Sequence, residues 1–180
     1  MDGRSWFALR VQTKYEGRVS TALRSKGFDE FPALCRVKRK WADRIKETET
    51  ALFPGYVFCR FNPGERLLPI LTTPGVMMIV GAGSLPIAIP DNEIRAIQTV
   101  VQSGLPVVSA PYHNVGSRVS ISAGPLAGIE GIVSRTDKRF RIAVSVELLS
   151  RSVLVEVERD WVSPVASYFR PHLLSSAATI

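Results

Sequence analysis

The hydrophobic side chains change their period near residue 104, and that change constrains the fold of this chain more than any other feature. Downstream of it, Ile142, Val144 and Val146 recur at every second position, and Val153, Val155 and Val157 repeat the pattern. A period of two places apolar side chains on one face of a pleated strand, where a sheet can bury them together. Residues 118–121, 129–135, 140–146 and 153–158 all have strand-favouring composition. Gly124, Gly128 and Gly131 punctuate the first hairpin, where a tightly curved sheet needs residues that tolerate unusual backbone angles. Residues 115–166 therefore predict a small β-barrel.

Upstream, helical and strand periods mix. Residues 6–11 form a short apolar strand, and Val19, Ala22, Leu23 and Lys26 follow helical spacing within 15–26, stopped by Gly27. Residues 31–40 read as a second strand whose polar continuation makes a long basic hairpin, and 56–61 are rich in aromatic and β-branched residues. Between them, Pro54-Gly55 is a turn signal flanked by Phe53 and Tyr56. A short helix over 65–71, a strand over 76–80 and a helix from an Asp91 N-cap to about Ser103, with Ile94, Ile97 and Val101 on one face, complete the region. Residues 1–103 thus predict an α+β domain with helices packed on a mainly antiparallel sheet. Residues 104–114 hold two prolines and no period, which reads as a linker, and 167–180 read as a frayed tail.

Charge narrows the partner. The chain has 23 basic and 16 acidic residues, a net +7 that favours an anionic partner, nucleic acid first. Arg36, Lys38, Arg39, Lys40, Arg44 and Lys46 stand against Asp43 alone, and Trp41 among them could stack on a base. A solvated hairpin is the competing reading of that run. Cys35 and Cys59 lack a CxxC spacing or a nearby histidine and read as buried thiols, while His113 and His172 fall in the linker and tail. No metal cluster, phosphate-binding glycine loop, paired catalytic carboxylates or activated nucleophile emerges, so the expectation is a non-enzymatic protein without cofactor or metal. The start lacks an apolar stretch behind a basic head and no run approaches the ~18 apolar residues of a membrane span, so a soluble, cytoplasmic, monomeric protein is expected.

The motifs carry a resemblance. Trp6-Phe7, then Tyr15-Glu16-Gly17-Arg18-Val19, then Leu52-Phe53-Pro54-Gly55-Tyr56-Val57-Phe58 and Thr73-Pro74-Gly75-Val76 resemble the N-terminal (NGN) domain of the NusG family of transcription elongation factors. Val115-Gly116-Ser117-Arg118-Val119 with Gly124-Pro125-Leu126-Ala127-Gly128 and Gly131 is similar to the KOW motif, an SH3-like barrel that ribosomal proteins also carry. The resemblance covers roughly residues 5–165, with both motifs in the family's order.

The resemblance implies binding rather than catalysis: docking on the clamp helices of the RNA polymerase largest subunit and suppression of pausing or termination. On matched positions Trp6, Phe53, Pro54 and Tyr56 would build or support the apolar docking surface, the alternative being that these aromatics are core residues. Lys14, Arg24 and Lys26 match a region that contacts nontemplate DNA in specialised antiterminators, and Arg36, Lys38, Arg39, Lys40 and Trp41 could reach upstream DNA or RNA. Where the family has a Phe-Gly-Arg loop for the termination factor Rho or a small-subunit ribosomal protein, this chain has Leu148-Leu149-Ser150-Arg151. That departure argues against Rho and leaves a ribosomal contact through Leu148, Leu149 and Arg151. The basic hairpin leading into the Phe-Pro-Gly-Tyr turn points to a specialised antiterminator paralogue, and a ribosome-associated or general RNA-binding KOW protein is the alternative.

Overall fold

The computed structural model describes residues 3–40, 45–65, 67–111, 116–135 and 140–165; Trp41 and the tail at 167–180 lie outside them. The first part of the chain runs β1 (Ser5–Val11), α1 (Glu16–Ser25), β2 (Asp29–Phe31), β3 (Leu34–Lys40), β4 (Ile45–Ala51), β5 (Tyr56–Phe61), α2 (Leu67–Leu71), β6 (Val76–Ile79), β7 (Gly81–Ala82), β8 (Leu85–Pro86) and α3 (Asp91–Gln102). The second part is β9 (Val107–Pro111), β10 (Arg118–Ile121), β11 (Glu130–Arg135), β12 (Phe140–Val146), β13 (Arg151–Val157) and β14 (Val162–Pro164), with short 3-10 turns between them.

In the first part, β2, β5, β1 and β6 make an antiparallel sheet in that order. Its two faces follow the period of two. Phe7, Leu9 and Val11 of β1 and Val57, Cys59 and Phe61 of β5 are buried against Val19 and Leu23 of α1 and Ile70 of α2, with the Phe7 and Phe61 rings 4.5 Å apart. Ala8 and Phe58 face the other way, into a cluster with Ile94, Ile97 and Val100 of α3. Each of these aliphatic side chains contributes about 1.5–3 kcal/mol on full burial, which holds helices that would be marginal alone. Asp91 lies inside the first turn of α3 rather than at its N-cap, a place taken by Pro90, and its carboxylate pairs with Arg95 at 3.7 Å.

Residues 31–40 are not one strand. Pro32 lacks an amide hydrogen for the ladder, and Ala33 is buried at φ +47, so the chain leaves the main sheet after β2. It continues as β3, which forms a separate two-stranded sheet with β4, from Leu34 opposite Ala51 to Lys40 opposite Ile45.

The second part is a six-stranded antiparallel sheet in the order β14, β10, β11, β12, β13, β9. Ile142, Val144 and Val146 of β12 and Val153, Val155 and Val157 of β13 are all buried, as their alternation predicts. Gly131 is required by contact between strands: a Cβ there would lie 2.4 Å from Ile142 Cγ2 and 2.8 Å from the Ala143 carbonyl oxygen. The expected linker at 104–114 contains a strand. β9 pairs with the outer edge of β13, Val107 opposite Val155 and Pro111 opposite Arg151. Prolines are tolerated here because β9 is an edge strand, and it covers what would be an open edge of β13.

The two parts share a core. One continuous cluster of buried apolar side chains runs from Ala8, Phe53 and Phe58 through Ile94 and Ile97 of α3 to Val119, Ile142 and Val144 of the β-domain. At its rim the Glu147 amide donates to Glu93 Oε2 of α3 at 3.3 Å. Among the described residues no helix is long and apolar enough to cross a membrane.

Candidate docking turn and nucleic-acid surface

The turn entering β5 is rigid for reasons that can be named. Pro54 occupies its second position, Gly55 its third with φ +81, and the Tyr56 amide donates to the Phe53 carbonyl at 3.0 Å. These are the features of a type II turn, which requires positive φ at the third position. Gly55 is held from both sides: its carbonyl accepts the Val11 amide at 2.9 Å, and its amide donates to Glu16 Oε1 at 2.7 Å. Glu16 is the first residue of α1 and is only 5% exposed.

The nominated aromatics divide by burial. Pro54 is exposed, while Tyr56 and Trp6 are half-buried at the margin of the cluster that α3 shares with the β-domain. The Arg10 guanidinium, directly across the ladder from Tyr56, stacks over its ring at 4.9 Å from the centroid. Phe53 is fully buried and meets Phe58 edge to face at 5.4 Å, so it supports the turn from inside and presents no surface. Arg10 and Glu16 were missing from the sequence-based site. Strand register brings Arg10 to the turn and the start of α1 brings Glu16; Glu16 lies in the Tyr15-Glu16-Gly17-Arg18-Val19 motif, but the motif does not reveal its contact with Gly55.

The nominated cations also divide. Lys14 is exposed, at φ +71 in the turn before α1. With Arg18 and Thr21 it lines one side of an open groove whose other side is Leu34, Thr50 and Pro54. Arg18, another residue not singled out as a cation beforehand, stacks over Tyr15 at 5.2 Å. Arg24 is exposed but ion-paired with Glu30, its Nε donating to Oε1 at 2.8 Å. Lys26 is a structural residue: its Nζ donates to the Pro69 carbonyl and to Thr73 Oγ1, both at 2.7 Å, tying α1 to the end of α2. A lysine so engaged is not presented to phosphate.

Along the hairpin, the register sets Arg36 opposite Glu49 and Lys38 opposite Glu47, while Arg39 is opposite Lys46. Opposite charges across a ladder offset one another, so Glu49 partly offsets Arg36. Arg36 is exposed; Lys38, Arg39 and Lys40 are placed by backbone pairing alone.

In the β-domain, Leu149 is 8% exposed and belongs to the core, which removes it from the partner-facing set. Leu148 is half-buried and Arg151 exposed. Ser150 stands between them in the left-handed region, φ +48 and ψ +47. Neither Cys35 nor Cys59 is in a disulfide; burial pushes the Cys35 thiol up, against a smaller lowering by a backbone hydrogen bond. Among the described residues no group of His, Cys, Asp and Glu could hold a metal ion.

Comparison with known proteins agrees with this layout. Residues 4–98 match the family described as "Transcription termination factor nusG". The transcription termination/antitermination protein NusG of Pasteurella multocida is 28% identical over 169 residues, covering 85% of this chain and 91% of that protein. Its Escherichia coli counterpart is 28% identical over 167 residues, with 85% and 92% covered. The structure described as "Domain interaction in Thermotoga maritima NusG" superposes with a TM-score of 0.55 at 22% identity, over 90% of this chain and 97% of that one, which is a likeness of fold. More than half of the chain matches the family and the matched part carries the Phe53-Pro54-Gly55-Tyr56 turn, so this protein belongs to the NusG family of transcription termination/antitermination factors.

Proposed function

We propose that this protein acts without catalysis during transcription elongation, docking on the clamp helices of the RNA polymerase largest subunit and suppressing pausing or termination. The observation that carries the reading is the doubly held Pro54-Gly55 turn, which presents exposed Pro54 beside half-buried Tyr56. A rigid apolar anchor of this kind loses little entropy on binding, the usual character of an interface hot spot. Trp6 extends the same sheet face, and Phe53 supports it from below.

Lys14 and Arg18 adjoin that turn across the groove and supply positive charge for nontemplate DNA, with Arg36 as a further contact. In the β-domain, Leu148 and Arg151 present an apolar and a basic group suited to a small-subunit ribosomal protein; Leu149-Ser150 in place of Phe-Gly argues against Rho. The reading assigns the chain to a specialised antiterminator branch, which polymerase-dependent binding to transcription bubbles of varied nontemplate sequence separates from a general factor: indifference to that sequence overturns the assignment.

The test is affinity for RNA polymerase. Tyr56→Ala removes a half-buried ring without opening the Phe53–Phe58 contact, and affinity is expected to fall by about tenfold or more. Unchanged affinity in a variant that melts like the parent would sink the reading.

A further inference from the structure

We propose that Glu16 is the positioning residue of the docking turn, holding Pro54 and Tyr56 in their presenting geometry by accepting the Gly55 amide. The inference rests on the docking role proposed for that turn. Glu16 is one of four polar or charged residues buried among the described ones, and its environment is informative. Its Oε1 is 2.7 Å from the Gly55 nitrogen, thirty-nine positions away in sequence. A carboxylate at the first position of a helix is stabilised by the unpaired amides and the dipole of that terminus, which makes burial of a charge tolerable there. It can then serve as a strong acceptor, because hydrogen bonds to an ionised oxygen are roughly twice as strong as neutral ones.

The turn needs such an acceptor. Gly55 is buried and its amide points away from the Phe53 carbonyl, which is already taken by Tyr56. Without Glu16 the buried Gly55 amide loses its acceptor at a residue held at φ +81, and the peptide joining Pro54 to Gly55 loses its anchor on α1. The Val11 amide would still hold the Gly55 carbonyl, so the sheet survives while the two residues before Tyr56 gain freedom. Pro54 also lines the groove that Lys14 and Arg18 share, so the same carboxylate keeps the apolar anchor in register with the basic side of α1.

The experiment compares Glu16→Ala and Glu16→Gln with the parent in two measurements: amide exchange by NMR, and affinity of the full chain for core RNA polymerase. In Glu16→Ala, loss of one buried charge-assisted bond is expected to speed Gly55 exchange about tenfold and weaken polymerase binding about tenfold. Amides of the β1–β5 ladder should keep their rates. Glu16→Gln retains a carbonyl acceptor and should return both readouts most of the way to the parent values.

Two results overturn the proposal: Gly55 exchange in Glu16→Ala that matches the parent, or faster exchange throughout the sheet, which would make Glu16 a general stabiliser. A third does so too: Glu16→Ala binding polymerase like the parent while Tyr56→Ala is weakened. If Tyr56→Ala itself binds like the parent, the docking role fails instead, and the Gly55 exchange result still decides what Glu16 does to the turn.

Discussion

Ser150 shows how much a single backbone angle can carry. It sits at φ +48 between the 3-10 turn at Glu147–Leu149 and β13, in a region that L-residues enter at a cost and glycine enters freely. Replacing it by glycine removes that strain but adds chain entropy to the unfolded state. Ser150→Gly is therefore expected to stabilise the protein by about 0.5–1 kcal/mol, read from urea unfolding; an unchanged midpoint would mean the turn is not strained. At the same scale, nominated residues separate by what surrounds them. Tyr56 and Phe53 look equivalent in sequence, but alternation and turn geometry leave one at the surface and bury the other against Phe58. Arg24 and Lys26 look equally basic, yet one pairs with Glu30 and the other is spent on Pro69 and Thr73. Charge and aromaticity are visible in a sequence; the partner that consumes them, six positions away for Arg24 and 43 for Lys26, is not.

Among the elements, those with a strong period were legible and those defined by a distant neighbour were not. β5 matches residues 56–61 and β12 matches 140–146, because aromatic and β-branched alternation specifies a strand whatever it pairs with. The basic hairpin is legible in the sequence, but the break at Pro32 and Ala33 that separates it from the main sheet is not, since residues 31–40 read as one strand. β9 is the clearest case. Its short length and the prolines at 106 and 111 gave no period, and it is a strand because β13 offers an unpaired edge. Hydrogen exchange tests this assignment: those amides of residues 107–110 that bond to β13 are expected to exchange on the timescale of the β-domain core. Exchange at the rate of open chain would restore the linker.

For the molecule as a whole, α3 is the joint between the two parts, and its charge makes the joint sensitive to pH. Burial raises the Glu93 carboxyl above its ordinary value; the Glu147 amide lowers it and the Glu147 carboxylate raises it further. A carboxyl raised in the assembled state binds its proton there more tightly than in the unfolded chain. The resulting loss of stability is absent below the ordinary value of 4.5, grows as pH rises through the raised value and is fully present at neutrality. Glu93→Gln keeps an acceptor for the Glu147 amide and removes the charge, so it should melt above the parent near pH 7, with the gap closing near pH 4. A gap that persists at acid pH would assign the gain to something other than charge. By itself the sequence determined the class of each half and the family, because hydrophobic period and a Pro-Gly turn act through neighbours a few positions apart. Only the tertiary structure decided which aromatics face outward, which cations are already paired, where the linker becomes a strand and which carboxylate holds the turn. Each of those depends on how separate elements pack, whether their contacting residues are six positions apart, as in Arg24 and Glu30, or 39, as in Glu16 and Gly55, and that packing exists only once the fold has closed.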